Sequence, residues 1–369
     1  MDKIEGGAMK VTLNKVELEE TLFYASKTVV RSKAIIVSQQ GIQFLFKDNK
    51  LYLYSYNGLH CGEVYYGEVV ADNFSCLLEY SLIEKVISLS EAKELELTFD
   101  DDALTITDSD SEYRIQYMQK HDISNIFDGI DVANQKQFLE MDLADFRDIY
   151  SFVSPCIPTQ AGYVRLRGVY YDGNFMATNT TGFAYYPFSE VITDKVFMSL
   201  ETFQILSSIA PKGLDAFFYM INGRFVATIG RSKYILSLLN SDFPDYAKVM
   251  ERVCGHEYTI KLNKSSLIKK CKKLGSFTSK YRRNSALLTV SENELVLEVM
   301  AETKRGKEKL DIETEGLSGI TIEFSIDLLR LVSYLAHVFN ETISITCGKN
   351  LNEFALKDGQ AVYVDGMLK

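Results

Sequence analysis

The strongest concentration of residues that could do chemistry is a basic run in the last third of the chain. Between Lys261 and Arg283 there are nine Lys and Arg residues and no Asp or Glu. The whole chain is acidic, with 40 Lys and Arg against 50 Asp and Glu, so only 31 basic residues balance those acids elsewhere. Because Lys and Arg drive binding to phosphate, this separation of charge indicates one surface that binds DNA on a body that repels it.

Four lysines of this run have the spacing of one helix face. On a helix with about 100° per residue, the apolar residues fall within an arc of roughly 120°, and these are Leu267, Ile268, Cys271 and Leu274. The opposite side carries Lys269, Lys270, Lys272 and Lys273. A solvated surface helix is the plain alternative. No acid four residues away relieves the repulsion between these lysines, which favours a polyanion as their counter-charge.

Residues suited to catalysis or metal binding are present but are not grouped. The aspartates at 100–102, 108 and 110 lack the spacing and the closing Glu of a calcium loop, which favours a solvated hairpin. The four histidines are far apart, and the six cysteines form no CxxC pair. No Gly-x-Ser-x-Gly motif or phosphate loop occurs, and nothing pairs the carboxylates for acid–base work. The sequence therefore predicts a binding protein with no catalytic site, cofactor or metal.

The elements that carry these residues repeat three times along the chain. Each repeat opens with a short strand, a polar cap and an amphipathic helix, and the openings lie at Leu13–Leu18, Met141–Phe146 and Leu262–Leu267. A second helix of each repeat is marked by Leu82, Phe203 and Leu329. Both sets of markers give a period of roughly 120–128 residues.

Between these helices, apolar and polar residues alternate as they do in half-buried strands. The segments with this pattern are Gly41–Tyr56, Leu95–Ile106, Tyr163–Ala184, Phe217–Leu239, Ala286–Met300 and Thr342–Leu356. Each repeat is therefore predicted to be an α+β domain of two helices and about eight short strands. Similar units joined head to tail curve into an arc, and a symmetric pair of arcs closes a ring.

Several short segments resemble, in order, those of the bacterial DNA polymerase III beta subunit, the DNA sliding clamp. Met9–Leu13 resembles the family's opening strand, which suggests that Met1–Ala8 is an extension or a cloning remnant. Gly168–Asn179 resembles a strand pair that ends in Ala-Thr-Asp-Gly, and Asp242–Tyr246 matches a Phe-Pro-Asp-Tyr segment. Tyr363–Lys369 is a degraded version of the family's Tyr-Val-x-Met-Pro-Met-Arg tail.

The resemblance spans Met9 to Lys369 and implies three sliding-clamp domains, at 9–127, 128–252 and 253–369, each of two helices on antiparallel sheets. It implies a homodimeric ring that encircles double-stranded DNA without sequence preference and serves as a polymerase processivity factor. The implied partners are a replicative DNA polymerase, a clamp loader and other DNA-maintenance proteins. Departures from the family's motifs indicate a divergent member, such as one from a phage or a mobile element.

Two sets of site residues follow. The basic residues expected to face DNA are Lys27, Arg31, Lys269, Lys270, Lys272, Lys273, Lys280, Arg282 and Arg283. The family's pocket for partner peptides, between the second and third domains, implies Leu166, Thr178, Phe183, Pro244, Lys248, Val249, Leu351, Val364, Met367 and Leu368. A plain alternative is that these residues fill core at a domain boundary.

Three departures affect this pocket. Thr180-Thr181-Gly182 stands where the family has Gly-His-Arg, Lys248 replaces an Arg, and the tail lacks Met-Pro-Met. Because Lys cannot form the planar, bidentate hydrogen bonds with a carboxylate that Arg forms, the pocket is expected to persist with altered specificity.

The remaining expectations concern location and competing functions. No apolar run approaches the ~20 residues of a membrane span, and the N-terminus lacks the pattern of a signal peptide. A cytoplasmic protein without membrane contact is therefore expected. One alternative to a clamp is a clamp-fold interaction scaffold that does not encircle DNA. Another is a nucleic-acid-processing enzyme, which would need clustered carboxylates or a metal site near Lys261–Arg283, where the sequence shows none.

Overall fold

The computed structural model describes residues 8–31, 36–108, 110–119, 121–188, 195–209, 213–278, 284–301 and 304–368. By its contacts the chain divides into two compact units. The first comprises Met1–Arg147 and Glu201–Leu238, and the second comprises Asp148–Leu200 and Leu239–Lys369. Each unit therefore combines one end of the chain with part of its middle third. The division into three domains stays a prediction.

Seven α-helices and 25 β-strands lie within these described ranges. The helices are α1 (Lys15–Ala25), α2 (Tyr80–Leu89), α3 (Leu143–Val153), α4 (Leu200–Ile209), α5 (Ala247–Cys254), α6 (Lys264–Gly275) and α7 (Leu328–Leu335). The first eight strands are β1 (Met9–Asn14), β2 (Gly41–Lys47), β3 (Lys50–Tyr56), β4 (Cys61–Glu68), β5 (Phe74–Glu79), β6 (Glu94–Phe99), β7 (Ala103–Asp108) and β8 (Ser111–Gln116).

The next eight strands are β9 (Leu139–Asp142), β10 (Gly168–Tyr171), β11 (Asn174–Thr178), β12 (Gly182–Pro187), β13 (Val196–Ser199), β14 (Asp215–Ile221), β15 (Arg224–Ile229) and β16 (Ser232–Leu236). The last nine are β17 (Tyr258–Asn263), β18 (Ser285–Val290), β19 (Glu294–Met300), β20 (Arg305–Asp311), β21 (Glu313–Glu315), β22 (Ile322–Asp327), β23 (Thr342–Cys347), β24 (Glu353–Asp358) and β25 (Ala361–Gly366).

The first unit contains a four-stranded sheet in the order β1-β6-β7-β8 and an eight-stranded sheet in the order β5-β2-β3-β4-β16-β15-β14-β9. Alternating apolar residues explain the strands: in β1 the side chains of Met9, Val11 and Leu13 are buried and those between them are exposed. Strands β4 and β16 pair in antiparallel fashion, with Val64 opposite Ser232. This pairing brings the first and middle thirds of the sequence into one sheet.

The second unit is built in the same way from the rest of the middle third and the last third. It contains a nine-stranded sheet in the order β13-β10-β11-β12-β25-β24-β23-β17-β21 and a four-stranded sheet in the order β20-β19-β18-β22. Strands β12 and β25 make the antiparallel junction between the two parts of the sequence. The interior is aromatic, with the rings of Phe152 and Tyr363 stacked at 4.2 Å between centroids.

Three helices begin at polar caps that the sequence marks. The side chain of Asn14 accepts a hydrogen bond from the backbone N–H of Glu17 at the start of α1. Asn263 accepts one from Ser266 at the start of α6, and Asp327 caps α7 in the same manner. Such caps satisfy backbone N–H groups that have no partner within the helix. The first and last thirds of the chain thus each begin a helix with a polar side chain that caps its N-terminus.

The predicted α+β fold with antiparallel sheets is confirmed, and the six helices marked by the repeat correspond to α1, α2, α3, α4, α6 and α7. Helix α5 was not expected. The strand predicted from Tyr163 is wrong over its first residues, because Ala161–Leu166 forms a 3₁₀ helix and β10 begins only at Gly168. Tyr163 and Val164 are both exposed there, so the alternation of residue types does not correspond to alternating burial.

Candidate functional site

Helix α6 presents lysines on its solvent-exposed face. Leu267, Cys271 and Leu274 are buried beneath it, whereas Lys269 and Lys272 are exposed. Ammonium groups on flexible stems suit contacts with phosphates along a nucleic-acid backbone, since these contacts need charge but no fixed geometry. This face therefore has the chemistry of a sequence-independent polyanion surface.

Lys270 and Lys273 lie on the side of α6 that meets β20, and both contact Glu308. The Nζ of Lys270 is 3.1 Å from Oε2 of Glu308, and the Nζ of Lys273 is 3.4 Å from Oε1. The hydrogen bond from Lys270 lowers the pKa of Glu308, so this carboxylate stays ionised. Sequence reasoning found no acid within the helix and missed this one, which lies 38 residues beyond Lys270. Two of the four lysines therefore already have a counter-charge.

Lys27 lies just after α1, in the 3₁₀ turn Ser26–Thr28. Its Nζ donates a hydrogen bond of 3.0 Å to the carbonyl of Ser208 and lies 3.7 Å from the centroid of the Phe23 ring. Burial, followed by the nearby charge of Arg31, lowers the pKa of Lys27 to about 8. The ammonium is thus held against neutral groups, and its charge is easier to lose than that of an ordinary lysine.

Arg31 is held by two hydroxyl groups in the same unit. Its Nη2 lies 3.3 Å from Oγ of Ser26 and 3.4 Å from the hydroxyl of Tyr80. These partners are neutral, so they orient the guanidinium without cancelling its charge. The other residues expected to face DNA, Lys280, Arg282 and Arg283, lie outside the described residues.

A cavity of about 260 Å³ opens in the second unit beside the junction of β12 and β25. In this junction Gly182 lies opposite Asp365, and Phe183 lies opposite Val364. The lining residues are Thr178, Thr180, Thr181, Gly182, Phe183, Phe243, Pro244, Asp245, Tyr246, Val249, Arg252, Asn352, Glu353, Val364, Asp365 and Gly366. The cavity therefore has an apolar and aromatic side and a polar side.

Half of the expected pocket residues line this cavity, namely Thr178, Phe183, Pro244, Val249 and Val364. The strand pairing explains why residues far apart in sequence meet: β11 and β12 carry Thr178 and Phe183, and β25 carries Val364 beside them. Pro244 precedes α5 and Val249 lies within it. Their apolar side chains form the wall on which a hydrophobic anchor would pack.

The other expected pocket residues are outside this lining. Leu166 is half-buried at the end of the 3₁₀ helix, and Lys248 is 78% exposed and lies 3.7 Å from Asp245. Leu351 is in a turn with a φ of 48°. Met367 and Leu368 donate their backbone N–H groups to the carbonyls of Asn352 and Ser325, which ties the chain end to neighbouring segments.

Asp365 is a buried carboxylate at the edge of the cavity that sequence reasoning missed. Its side chain is 4% exposed. Its Oδ1 accepts a hydrogen bond of 2.7 Å from Nη1 of Arg330, and its Oδ2 accepts one of 3.0 Å from the hydroxyl of Tyr334. Burial raises the pKa of Asp365 to about 6, although the charge of Arg330 acts in the opposite direction. The signal in the sequence was a single Asp near the end of an otherwise apolar strand.

The same network explains one departure from the family's pattern. The hydroxyl of Tyr334 fills the space beside Gly182, where a Cβ atom would clash with it. No side chain fits at position 182 while Tyr334 donates to Asp365, so the Arg that the resemblance implies there is excluded. The hydrogen bond between Tyr334 and Asp365 therefore requires glycine at position 182.

Thr180, on the rim of the cavity, has a φ of 77°, in the left-handed region that favours glycine. The surrounding turn is fixed by side chains: the hydroxyl of Thr178 accepts from the N–H of Thr180, and Oδ1 of Asn179 accepts from the N–H groups of Thr181 and Gly182. A non-glycine residue in this conformation costs of order 1–3 kcal/mol, which the hydrogen bonds of the turn offset.

The acidic stretch near residue 100 is a hairpin. Asp100 and Asp102 pair with Arg114 at 2.7 and 2.5 Å. Among the described residues, no three His, Cys, Asp or Glu side chains are grouped so that they could hold a metal ion. Over the same part of the chain, no helix has both the length and the apolar character needed to cross a membrane.

Comparison with known proteins gives matches in structure only. No protein-family model matches the sequence, and no curated protein matches it. The DNA polymerase III beta subunit from Thermotoga maritima superposes with a TM-score of 0.81 at 15% identity, covering 98% of this chain and 99% of that one. A DNA polymerase sliding clamp from Pseudomonas aeruginosa gives 0.85 at 14%, covering 98% and 99%. The beta subunit from the DNA polymerase of Streptococcus pyogenes gives 0.84 at 14%, covering 98% and 100%.

These superpositions cover nearly every residue of both chains, so the fold defines the class: this is a sliding-clamp fold. More particularly, the chain has the fold of the bacterial DNA polymerase III beta subunit, as the ordered short segments of its sequence implied. At 13–15% identity the likeness shows the fold alone and assigns no role to a residue.

Proposed function

We propose that this protein is a DNA sliding clamp, a polymerase processivity factor that encircles duplex DNA and has no catalytic site of its own. The observation that carries the proposal is the match of 98% of the chain to 99–100% of solved clamps. A protein that stays on DNA by encircling it needs a closed ring and an inner surface that accepts any DNA sequence. It needs no reacting groups. The proposed assembly is a homodimer of three-domain chains in the cytoplasm, opened and closed on DNA by a clamp loader.

The basic residues support this role through sequence-independent contacts. Lys269 and Lys272 are free to approach phosphates, and Lys27 and Arg31 add charge at the end of α1. Contacts of this kind are electrostatic and weaken with salt, so that a ring can move along DNA without reading its sequence. The chain as a whole has a net charge of −10, and the excess of acidic residues outside the basic run disfavours contact between DNA and the other surfaces.

The cavity beside β12 and β25 is the proposed docking site for a replicative polymerase and other DNA-maintenance proteins. Its apolar and aromatic wall suits the hydrophobic residues of a short peptide. Because Thr181-Gly182 stands where the family has His-Arg, the bulk and charge of those residues are missing, and the expected partner peptides differ from those of the usual bacterial clamp.

Retention on DNA with blocked ends tests the proposal directly. The protein is incubated with linear duplex DNA, both ends are then blocked with biotin and streptavidin, and the salt is raised until electrostatic contacts are screened. A clamp stays on the blocked DNA at high salt and leaves when a restriction enzyme cuts the DNA. Loss at high salt whether or not the ends are blocked would contradict encirclement.

A second candidate function is a clamp-fold scaffold that binds partners without encircling DNA. Two observations favour it, because both reduce the positive charge available to DNA. Glu308 forms ion pairs with two of the four lysines of α6, and α1 carries Glu17, Glu19 and Glu20. Such a protein would bind peptides in the cavity yet leave blocked DNA as readily as open DNA. The enzyme alternative would require a grouped set of catalytic carboxylates near α6.

A further inference from the structure

His60 is a buried titratable residue of the first unit and belongs to neither the basic surface nor the cavity, with 1% of its surface exposed. It ends the turn between β3 and β4, which Asn57 fixes by accepting hydrogen bonds from the backbone N–H groups of Leu59 and His60. The Nε2 atom of His60 lies 2.9 Å from the hydroxyl of Ser237, just after β16, and 3.2 Å from the hydroxyl of Thr202 in α4. The imidazole therefore joins the turn to two segments from the middle third of the sequence.

These hydrogen bonds determine which nitrogen of the neutral ring carries the proton. The hydroxyl of Thr202 donates its single proton to the backbone carbonyl of Ser237 at 2.7 Å, so it can only accept from the imidazole. Nε2 is therefore the protonated nitrogen, and Nδ1 is left as an acceptor. Among the described residues, no group lies within hydrogen-bonding distance of Nδ1, which is itself buried. A second proton on the ring would place an N–H group there without a partner, which is costly in a buried site.

The surroundings of His60 also oppose a positive charge on the ring. Thr202 lies in the first turn of α4, where the helix dipole is positive. Burial lowers the pKa of His60 to about 4, although the charge of Glu201 in the same turn acts in the opposite direction. Neither the turn at 57–61 nor the segment 236–239 contains a charged residue, and burial raises the pKa of the Cys61 thiol to about 12. The imidazole is therefore neutral at neutral pH.

We propose that His60 is a proton-sensitive latch, which holds the β3–β4 turn against α4 while the imidazole is neutral and releases the turn when the imidazole is protonated. In the released state the charged ring reaches water, where both of its N–H groups find acceptors, so that no unpaired charge stays buried. The latch acts at the start of α4. The end of this helix receives a different hydrogen bond, from Lys27 to the carbonyl of Ser208. Release should therefore loosen the start of α4 and leave its end in place.

Hydrogen exchange of the whole protein, measured by mass spectrometry at several pH values, tests the latch. Peptides that cover the turn and the start of α4 report how often these segments open, after correction for the intrinsic exchange rate. The pKa of His60 is about 4 in the closed state, below the ordinary value of 6.5 that it regains when open. Protonation therefore favours opening as the pH falls from 6.5 towards 4, and the opening constant should rise by up to about thirtyfold between pH 7.5 and pH 5.

The variant His60→Gln removes the titration and keeps an N–H group that can donate to the two hydroxyls. Its opening constant for the turn should change by less than about threefold over the same pH range. The matched control is His256→Gln. His256 is half-buried in the second unit, and its Nδ1 lies 2.9 Å from the hydroxyl of Thr346, so it makes a similar contact elsewhere. This control should keep the full pH dependence at the turn of the first unit.

A second measurement needs only the unchanged protein and stands if His60→Gln does not fold. The ¹⁵N chemical shifts of the imidazole nitrogens report both the charge of each histidine and the nitrogen that carries its proton. Followed from pH 7.5 downwards, the ring of His60 should carry its proton on Nε2 and stay neutral to below about pH 5.

Several results would overturn the latch. If the turn opens with the same pH dependence in the unchanged protein and in His60→Gln, another group drives the opening. If the opening constant of the unchanged protein does not change with pH, protonation does not release the turn. Titration of His60 near pH 6.5 in the folded protein, or a neutral ring with its proton on Nδ1, would contradict the hydrogen bonds on which the latch depends. Retention on blocked DNA is a separate measurement, so the proposed function can stand or fall independently.

Discussion

Thr180 holds a conformation that its residue type disfavours, and its position on the rim of the cavity makes this strain testable. With a φ of 77° the side chain of a β-branched residue crowds its own backbone. Replacing Thr180 with glycine removes the strain but adds backbone entropy to the unfolded chain. We expect Thr180→Gly to raise the free energy of unfolding by about 0.5–1 kcal/mol, measured by denaturant titration.

The adjacent residue provides the control for this prediction. Thr181 is outside the left-handed region, and both its N–H and its hydroxyl donate to Oδ1 of Asn179. Thr181→Gly should therefore lower the free energy of unfolding, because it removes a hydrogen bond and relieves no strain. Destabilisation by both substitutions would show that the turn, and not the φ of residue 180, determines stability here.

Lys27 makes DNA binding depend on pH if it contacts phosphate. Its pKa is lowered to about 8 by burial and by Arg31, so the free protein loses this charge as the pH rises through 8. Binding to phosphate favours the ammonium form, and the affinity should therefore fall above pH 8, by at most about tenfold per pH unit. Lys27→Arg should abolish this part of the dependence, since guanidinium stays charged.

Fluorescence anisotropy with duplex DNA between pH 7 and pH 9.5 measures the difference at constant ionic strength. The affinity of the unchanged protein should fall more steeply than that of Lys27→Arg over this range. Parallel curves for the two proteins would remove Lys27 from the DNA-facing surface and leave Arg31, whose partners are the hydroxyls of Ser26 and Tyr80, as the basic group there.

At the scale of the element, sequence periodicity could predict what each helix and strand does by itself. The apolar face of α6 follows from the spacing of Leu267, Cys271 and Leu274, and all three are buried. Its cap follows from Asn263. Local pattern is sufficient here because a helix brings together residues three and four apart.

Contacts between elements could not be predicted, because they depend on strand register. Glu308 meets Lys270 and Lys273 only because β20 lies beside α6. Asp365 meets Gly182 only because β25 pairs with β12 in one register, and a shift of one residue would place Val364 there instead. The resemblance implied five of the sixteen residues that line the cavity, and the charged residues Arg252, Glu353 and Asp365 were not among them.

The pairing of Glu308 with two lysines changes what is expected of α6. Replacing all four lysines with Glu should weaken DNA binding, with most of the loss from Lys269→Glu and Lys272→Glu, because Lys270 and Lys273 are already paired with Glu308. Glu308→Gln should strengthen binding by roughly threefold to tenfold at low salt, since a unit charge near phosphate in water is worth about 1 kcal/mol. Titration at several salt concentrations measures both effects.

The control for the Glu308 change is Glu323→Gln. Glu323 accepts a hydrogen bond from Thr289 within the same four-stranded sheet and is not a partner of the α6 lysines in these ion pairs. Glu323→Gln removes the same charge from the whole protein as Glu308→Gln does. If both substitutions strengthen DNA binding equally, the cause is the net charge and not the ion pairs of α6. Stability should change little in either variant, because exposed ion pairs contribute about 0–1 kcal/mol.

At the scale of the whole molecule, the two four-stranded sheets end in strands that have a partner on only one side. In the first unit β8 is the edge of the order β1-β6-β7-β8, and in the second unit β20 is the edge of the order β20-β19-β18-β22. Open edges are a liability unless another chain pairs with them. We expect β8 of one chain to pair with β20 of another, as the proposed two-chain ring requires.

We predict a homodimer with a mass of about twice 41.9 kDa, which light scattering at micromolar concentration measures. Tyr113 projects from the edge strand β8 with 43% of its surface exposed, and Tyr113→Asp should convert the dimer to a monomer by placing a charge in the interface. Tyr163 is equally exposed, at 43%, but lies in the segment Ala161–Leu166, outside the strands β8 and β20, so Tyr163→Asp should leave the mass unchanged. A monomeric mass for the unchanged protein would contradict the closed ring, and with it the retention of this chain on DNA whose ends are blocked.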